Sequence, residues 1–194
     1  MSELIRKLPL EGLSINHSGL TIRPVENRSK IMVQRSNNVT NSEMEGLSQK
    51  FSQAFGLELP LKVCDKVMSK DGFISALCLN PTSWVIVCDD NIVANITEWF
   101  EGLTEGKTIT TSDMADQYIC LNIEGKFARA LLAKGCALDL SDKVFSKNHA
   151  ARTLLAQANI VIWRNEEGGY AILFDVSLSN YLWFWLESAA KEFI

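Results

Sequence analysis

The chain has 194 residues, of which 47% are hydrophobic and 22% charged; this is the composition of a folded globular protein and excludes a disordered one. Its formal net charge is -4, and its lysines and arginines are scattered rather than gathered into a stripe that could follow a phosphate backbone, which argues against nucleic acid as a partner. A chain of this length suits one domain or two tightly packed lobes around a substantial core.

The N-terminal sequence MSELIRKLPL lacks the apolar core and small-residue cleavage site of a secretory signal, and no stretch has the length of a membrane span, so a cytoplasmic protein is expected. Residues 1–41 carry few periodic apolar positions and include the polar run VQRSNNVTN. They are expected to form an N-terminal extended arm with the reach to lie on another subunit, leaving a single α+β domain over 42–194. The first clear helix begins at Ser42, where Ser42 and Glu45 have capping-box spacing, and Met44, Leu47, Phe51, Ala54 and Phe55 recur at helical spacing before Gly56.

FISALCL (73–79), the turn formers Asn80-Pro81-Thr82-Ser83 and WVIVC (84–88) predict two adjacent strands. A helix follows, capped by Asp89 or Asp90, with Ile92, Val93, Ile96, Trp99, Phe100 and Leu103 on one stripe. QYICLNI (117–123) predicts a strand feeding a helix through Phe127, Ala128, Leu131 and Leu132, closed by Lys134 and Gly135. Residues 136–158 read as a short helix or loop layer, and NIVIWR (159–164), a Glu-Glu-Gly-Gly turn and residues 170–176 as a hairpin. A last helix is expected from about 177 to 193. This interleaving of neighbouring strands with single helices favours an α+β fold, mostly antiparallel sheet backed by helices, and no sequence repeat is evident.

The motifs of catalysis are absent from the sequence. Gly106-Lys107-Thr108 resembles the end of a phosphate loop, but Glu101 stands where the earlier glycine is needed, so a solvated turn is the better reading. There is no GxGxxG or GxSxG, and His17 and His149 stand in no spacing suited to a metal or a triad. The odd count of five cysteines has no CxxC spacing, and Cys78, Cys88 and Cys120 lie in apolar runs as small buried hydrophobes. No catalytic, cofactor-binding or metal residue is therefore expected.

The final helix is the most unusual feature, because residues 181–186 (YLWFWL) are all large. Tyr181, Leu182, Trp185 and Ala189 can face the home core. Trp183, Phe184 and Leu186 then need a second layer, from this chain or from a partner subunit, and are the candidate interface residues.

From Gly125 the sequence reads GKFARALLAKGCALDL, and this resembles the gamma subunit of heterotetrameric sarcosine oxidase in the segment Lys134-Gly135-Cys136-x-Leu138-Asp139-Leu140. The resemblance continues through Phe145, residues 151–155 (ARTLL), 161–164 (VIWR), Ser177, Tyr181-Leu182-Trp183 and Trp185-Leu186; Val176 stands where a basic residue is expected. It implies a fold related to the folate-binding aminomethyltransferase domain and an accessory, non-catalytic role beside alpha, beta and delta subunits. Such a complex carries FAD, FMN and NAD on its larger subunits and zinc on delta. It demethylates sarcosine oxidatively to glycine with tetrahydrofolate as one-carbon acceptor, and the Val176 departure leaves room for a related N-methyl amine. The alternative is a free-standing folate-binding or aminomethyltransferase-like protein, for which Asp113, Asp116 and Asp139 are candidate pterin carboxylates by position, set against a simpler role as caps and turn residues.

Overall fold

The computed structural model describes residues 9–103 and 109–193. In chain order the elements are β1 (Ile15–His17), β2 (Leu20–Pro24), β3 (Arg28–Arg35), α1 (Asn41–Phe55), β4 (Lys66–Met68), β5 (Ile74–Asn80), β6 (Ser83–Asp89) and α2 (Val93–Leu103). There follow β7 (Ile109–Asp113), β8 (Tyr118–Glu124), α3 (Ala128–Ala133), β9 (Ala150–Leu155), β10 (Ala158–Arg164), β11 (Tyr170–Asp175) and α4 (Ser179–Ala190). The architecture is α+β with antiparallel sheets, as the sequence predicts.

The chain divides into two compact units, one of Met1–Glu26, Asp116–Phe145 and Thr153–Ile194, the other of Asn27–Ala115 and Ser146–Arg152. The second unit holds a sheet of order β4-β5-β6-β3-β7. Ile31, Val33, Ala76, Trp84, Ile86 and Cys88 form the sheet side of its core and Phe51, Ile96 and Phe100 the helix side. Phe51 is the hub: its ring centroid lies 4.7 Å from that of Phe55, 5.2 Å from Trp99 and 5.6 Å from Phe100. Trp84 is buried whole because its indole N–H donates to the Pro60 carbonyl at 2.5 Å.

The first unit holds a sheet of order β1-β2-β8-β11-β10-β9. Leu121 pairs with Ile172 and Ile123 with Tyr170, and all four are buried. Both units follow one topology, since β3-α1-β4-β5-β6-α2 and β8-α3-β9-β10-β11-α4 give matching sheet orders, with β2 beside β8 where β7 lies beside β3. The sequence hides this duplication because a fold demands a pattern of burial, and many residue choices satisfy one pattern.

The expected N-terminal arm is a correction. Residues 15–17, 20–24 and 28–35 are strands, and the pairs Leu20/Ile22 and Ile31/Val33 point into cores with essentially no exposure. Two apolar residues two apart are a minimal strand signal, easily lost among polar neighbours such as Gln34 and Arg35. A second correction lies in 136–158, expected to be a short helix or loop layer, where β9 forms as an edge strand with alternating burial. The first helix also starts earlier than expected. Thr40, not Ser42, is its cap, accepting from the Glu43 N–H while Glu43 accepts from the Thr40 N–H at 2.9 Å; the spacing Thr-x-x-Glu occurs two residues ahead of Ser-x-x-Glu. Gly56 ends the helix at φ 74°, as expected. Thr40→Ala is expected to cost about 1 kcal/mol in urea unfolding, whereas Ser42→Ala should change little.

Candidate functional site

The last helix is held in one orientation by contacts at both ends and in the middle. At its start Asp175 accepts from the Ser177 hydroxyl at 2.6 Å and the Ser177 N–H at 2.9 Å, bonds that hold its carboxyl below the usual carboxylate range. In its first turn, the Tyr181 hydroxyl oxygen accepts from the Gln157 N–H at 3.3 Å. One turn on, Trp185 lies against the bare backbone of Gly135, where an added Cβ would come within 2.7 Å of the indole ring. At the end Lys134 donates to the Ala189 carbonyl at 2.7 Å, pairs with Glu192 at 2.9 Å and sits 4.6 Å over the Phe193 ring. This arrangement fixes which side of α4 meets solvent.

The inner stripe is Ser179, Leu182, Leu186 and Ala190. Leu186, expected at a partner interface, is therefore a correction: its exposure is 0%, because it falls one helical turn after Leu182 on the core side. Phe184 is 68% exposed and Trp183 is half-buried. Tyr181, expected inward, is 41% exposed, with its hydroxyl tied to Gln157. The outer face thus presents two large aromatic rings, Tyr181 and Phe184, bordered by Asn180, Glu187 and Ser188. An apolar centre with a polar border is the anatomy of a protein interface.

A polar cluster joins β2, β8 and the β10–β11 turn. Arg23 Nη2 lies 3.4 Å from both Glu124 and Glu167, Asn165 donates to Glu124 at 3.3 Å, and the Gly169 N–H donates to Asn165 Oδ1 at 2.8 Å. Burial, then the hydrogen bond from Glu167, pushes the Glu124 carboxyl above the ordinary glutamate range against the pull of Arg23. A carboxyl raised on folding binds its proton more tightly in the native state, so its contribution to stability is present below the unfolded pKa and lost as pH rises through the folded one. Stability of Glu124→Gln relative to the parent should accordingly rise with pH from the acid side to neutrality. A difference that stays flat across urea titrations at successive pH values would refute this assignment.

Gly12, Leu13, Ser14, Arg23, Pro24, Val25, Glu26 and Asn122 line an open cleft of about 490 Å³ beside this cluster. The sequence reading missed both features, because Arg23, Glu124 and Glu167 are distant in the chain and meet only through strand pairing.

The candidate pterin carboxylates are engaged in their own turns. Asp113 accepts from the Ala115 N–H at 2.8 Å and Asp139 from the Ser141 N–H at 2.9 Å, while Asp116 is exposed in the turn before β8. Burial pushes the thiols of Cys78 and Cys88 up to about 11 and about 12, as befits core residues; Cys120 and Cys136 are also buried and Cys64 is exposed. His149 Nδ1 accepts from the Ser146 N–H at 3.2 Å within a local turn. Gly106-Lys107-Thr108 lies outside the described residues. Among the described residues no three His, Cys, Asp or Glu side chains gather to hold a metal ion, and no helix is long and apolar enough to cross a membrane.

The profile of the sarcosine oxidase, gamma subunit family matches residues 42–192. Among curated proteins, sarcosine oxidase subunit gamma of Corynebacterium sp. (strain U-96) is 27% identical over 140 residues, 72% of this chain and 67% of that protein. The Arthrobacter sp. protein of the same name is 25% identical over 72% of this chain and 68% of its own length. Among solved structures, a chain of the heterotetrameric sarcosine oxidase from Corynebacterium sp. U-96, in complex with pyrrole 2-carboxylate, superposes with a TM-score of 0.78. It is 23% identical, over 95% of this chain and 90% of that one. The glycine cleavage system aminomethyltransferase T from Bartonella henselae superposes with a TM-score of 0.62 at 14% identity, over 89% of this chain and 47% of that one. These two likenesses establish the fold, including the similarity in fold to an aminomethyltransferase that the sequence resemblance implies.

Proposed function

Since the chain belongs to the sarcosine oxidase gamma subunit family, we propose that it is a non-catalytic accessory subunit of a sarcosine oxidase-like complex. It docks on a larger subunit through the Tyr181–Phe184 face of α4. The complex demethylates sarcosine or a related N-methyl amine oxidatively to glycine and passes the one-carbon unit to tetrahydrofolate. Its alpha and beta subunits carry FAD, FMN and NAD, and its delta subunit carries zinc.

The observation that carries this reading is the aromatic face of α4, which lies inside the region matched by the family profile and leaves Phe184 two-thirds exposed. A ring that large is costly to leave in water and is worth burying against a partner, at about 25 cal/mol per Å². The test is to purify the chain from its native host by affinity and identify what travels with it. Flavin-bearing large subunits with sarcosine-dependent activity are the expected result. A colourless chain recovered alone would overturn the proposal, and the folate-binding alternative would then be tested by thermal shift with tetrahydrofolate.

A further inference from the structure

We infer that the open edge of β7 receives an extended segment of a partner subunit, which adds to its sheet as an antiparallel sixth strand. The inference rests on the reading of the chain as an assembled subunit and adds to it a second contact, made by backbone rather than by aromatic rings.

The duplicated topology marks the edge. In the first unit the sheet runs β9-β10-β11-β8-β2-β1, and in the second the matching order β4-β5-β6-β3-β7 stops one strand short. β7 stands where β2 stands, and among the described residues no strand stands beside it where β1 stands beside β2. β1 shows what such a place takes: a short strand paired antiparallel, with Ile15 opposite Ile22 and His17 opposite Leu20. A three-residue strand and a two-residue turn would use up the whole connection from Leu103 of α2 to Ile109 of β7, so the chain does not supply its own sixth strand there.

The chemistry of the edge fixes the class of its occupant. The Met114 N–H donates to the Lys30 carbonyl at 2.7 Å, and the antiparallel ladder that continues from this bond turns the backbone groups of Ser112 and Thr110 towards β3, opposite Met32 and Gln34. The N–H and C=O of Thr111 and Asp113 therefore point away from the sheet, as those of Leu20 and Ile22 point to β1 in the first unit. A row of such groups is matched by another extended backbone. Edges kept unpaired are blunted by lysine, proline or a bulge, whereas β7 reads Ile-Thr-Thr-Ser-Asp and has no buried residue. Its one charge is turned back into its own chain, where Asp113 accepts from the Ala115 N–H at 2.8 Å. A second copy is the poorer match. Ile15 of β1 is buried opposite Ile22, but β7 laid on its own copy with all five residues paired sets Thr111 against Thr111 and brings no apolar side chain to the place beside Val33. The occupant is therefore assigned to a partner subunit, as an extended segment with an apolar residue opposite Thr111.

The experiment captures large subunits, purified from the native host complex, with the full chain as parent, Thr111→Pro and Thr111→Ala. Thr111→Pro removes the outward N–H and leaves the bonds to β3 in place, so the free chain should fold while capture weakens about 30-fold. Thr111→Ala keeps the backbone and should capture within about threefold of the parent. Amide hydrogen exchange reads the same contact without a substitution, and decides the matter should the proline variant not fold. The Thr111 and Asp113 N–H groups are expected to exchange freely in the isolated chain and to slow about 100-fold in the complex, with the Ser112 N–H protected in both. Capture of folded Thr111→Pro at the level of the parent, or exchange at Thr111 unchanged by binding, would overturn the added strand and leave the subunit reading standing. Failure of the parent to capture any large subunit would overturn both. Protection of Thr111 already in the isolated chain, whether it sediments as a monomer or as a dimer, would give the edge to this chain or to a second copy and make the inference wrong.

Discussion

Phe184→Asp is expected to weaken capture of the large subunits by at least about 100-fold while leaving unfolding stability within about 0.5 kcal/mol of the parent. The two halves of this expectation have separate causes. Phe184 is 68% exposed on a helix whose inner stripe is Leu182, Leu186 and Ala190, so a carboxylate there stays in water in the free chain. In the complex the same carboxylate would be desolvated without a partner, and the ring's contact area would be lost as well. Leu182→Asp provides the contrast, since it places the charge in the core and should prevent folding. Quantitative capture of Phe184→Asp in a co-expression pull-down would remove α4 from the interface.

Gly125→Ala is expected to destabilise the chain by about 3 kcal/mol or more. Gly125 has φ 99°, a conformation strained for any residue with a Cβ, and that Cβ would also collide with the Gly19 carbonyl. The collision cannot be relieved by a side-chain rotation, because the Gly19 carbonyl accepts from the Phe127 N–H at 3.1 Å and belongs to the link between β1 and β2. Gly56→Ala isolates the backbone contribution: at φ 74° with open space around it, it should cost only about 1 kcal/mol. Urea unfolding followed by far-ultraviolet circular dichroism compares the two, and equal losses would show that the close approach of strand to turn is unimportant.

The sequence was most informative where structure is governed by neighbours in the chain. Helical spacing located α1, α2 and α4 to within a few residues, and turn formers placed the β5–β6 and β10–β11 hairpins, because side-chain periodicity and turn conformation are local properties. The ordered blocks from Gly125 to Leu186 carried the family, and the profile match over 42–192 includes them. Strands β1, β2 and β3 were hidden. Each carries only a short alternation, and its value as a strand depends on partners far along the chain, as when Ile22 pairs with Ile123 and Ile31 with Ile86.

The same limit applies to the surface sites. Sequence alone singled out the aromatic run of α4 as too hydrophobic for one face, but the rotation of that helix decided which rings are outside. Trp185 on Gly135 and Tyr181 on Gln157 set that rotation, turning Leu186 inward and Phe184 outward. Phe73 lies in a run of strand formers that suggests burial, yet its ring is half-exposed in the turn before β5, where Arg28, 45 residues earlier, reaches its carbonyl. Composition and periodicity determined what must be buried and hence the class of fold. Only the tertiary structure decided which apolar groups remain for a partner, because exposure depends on long-range packing and one-dimensional spacing does not specify it.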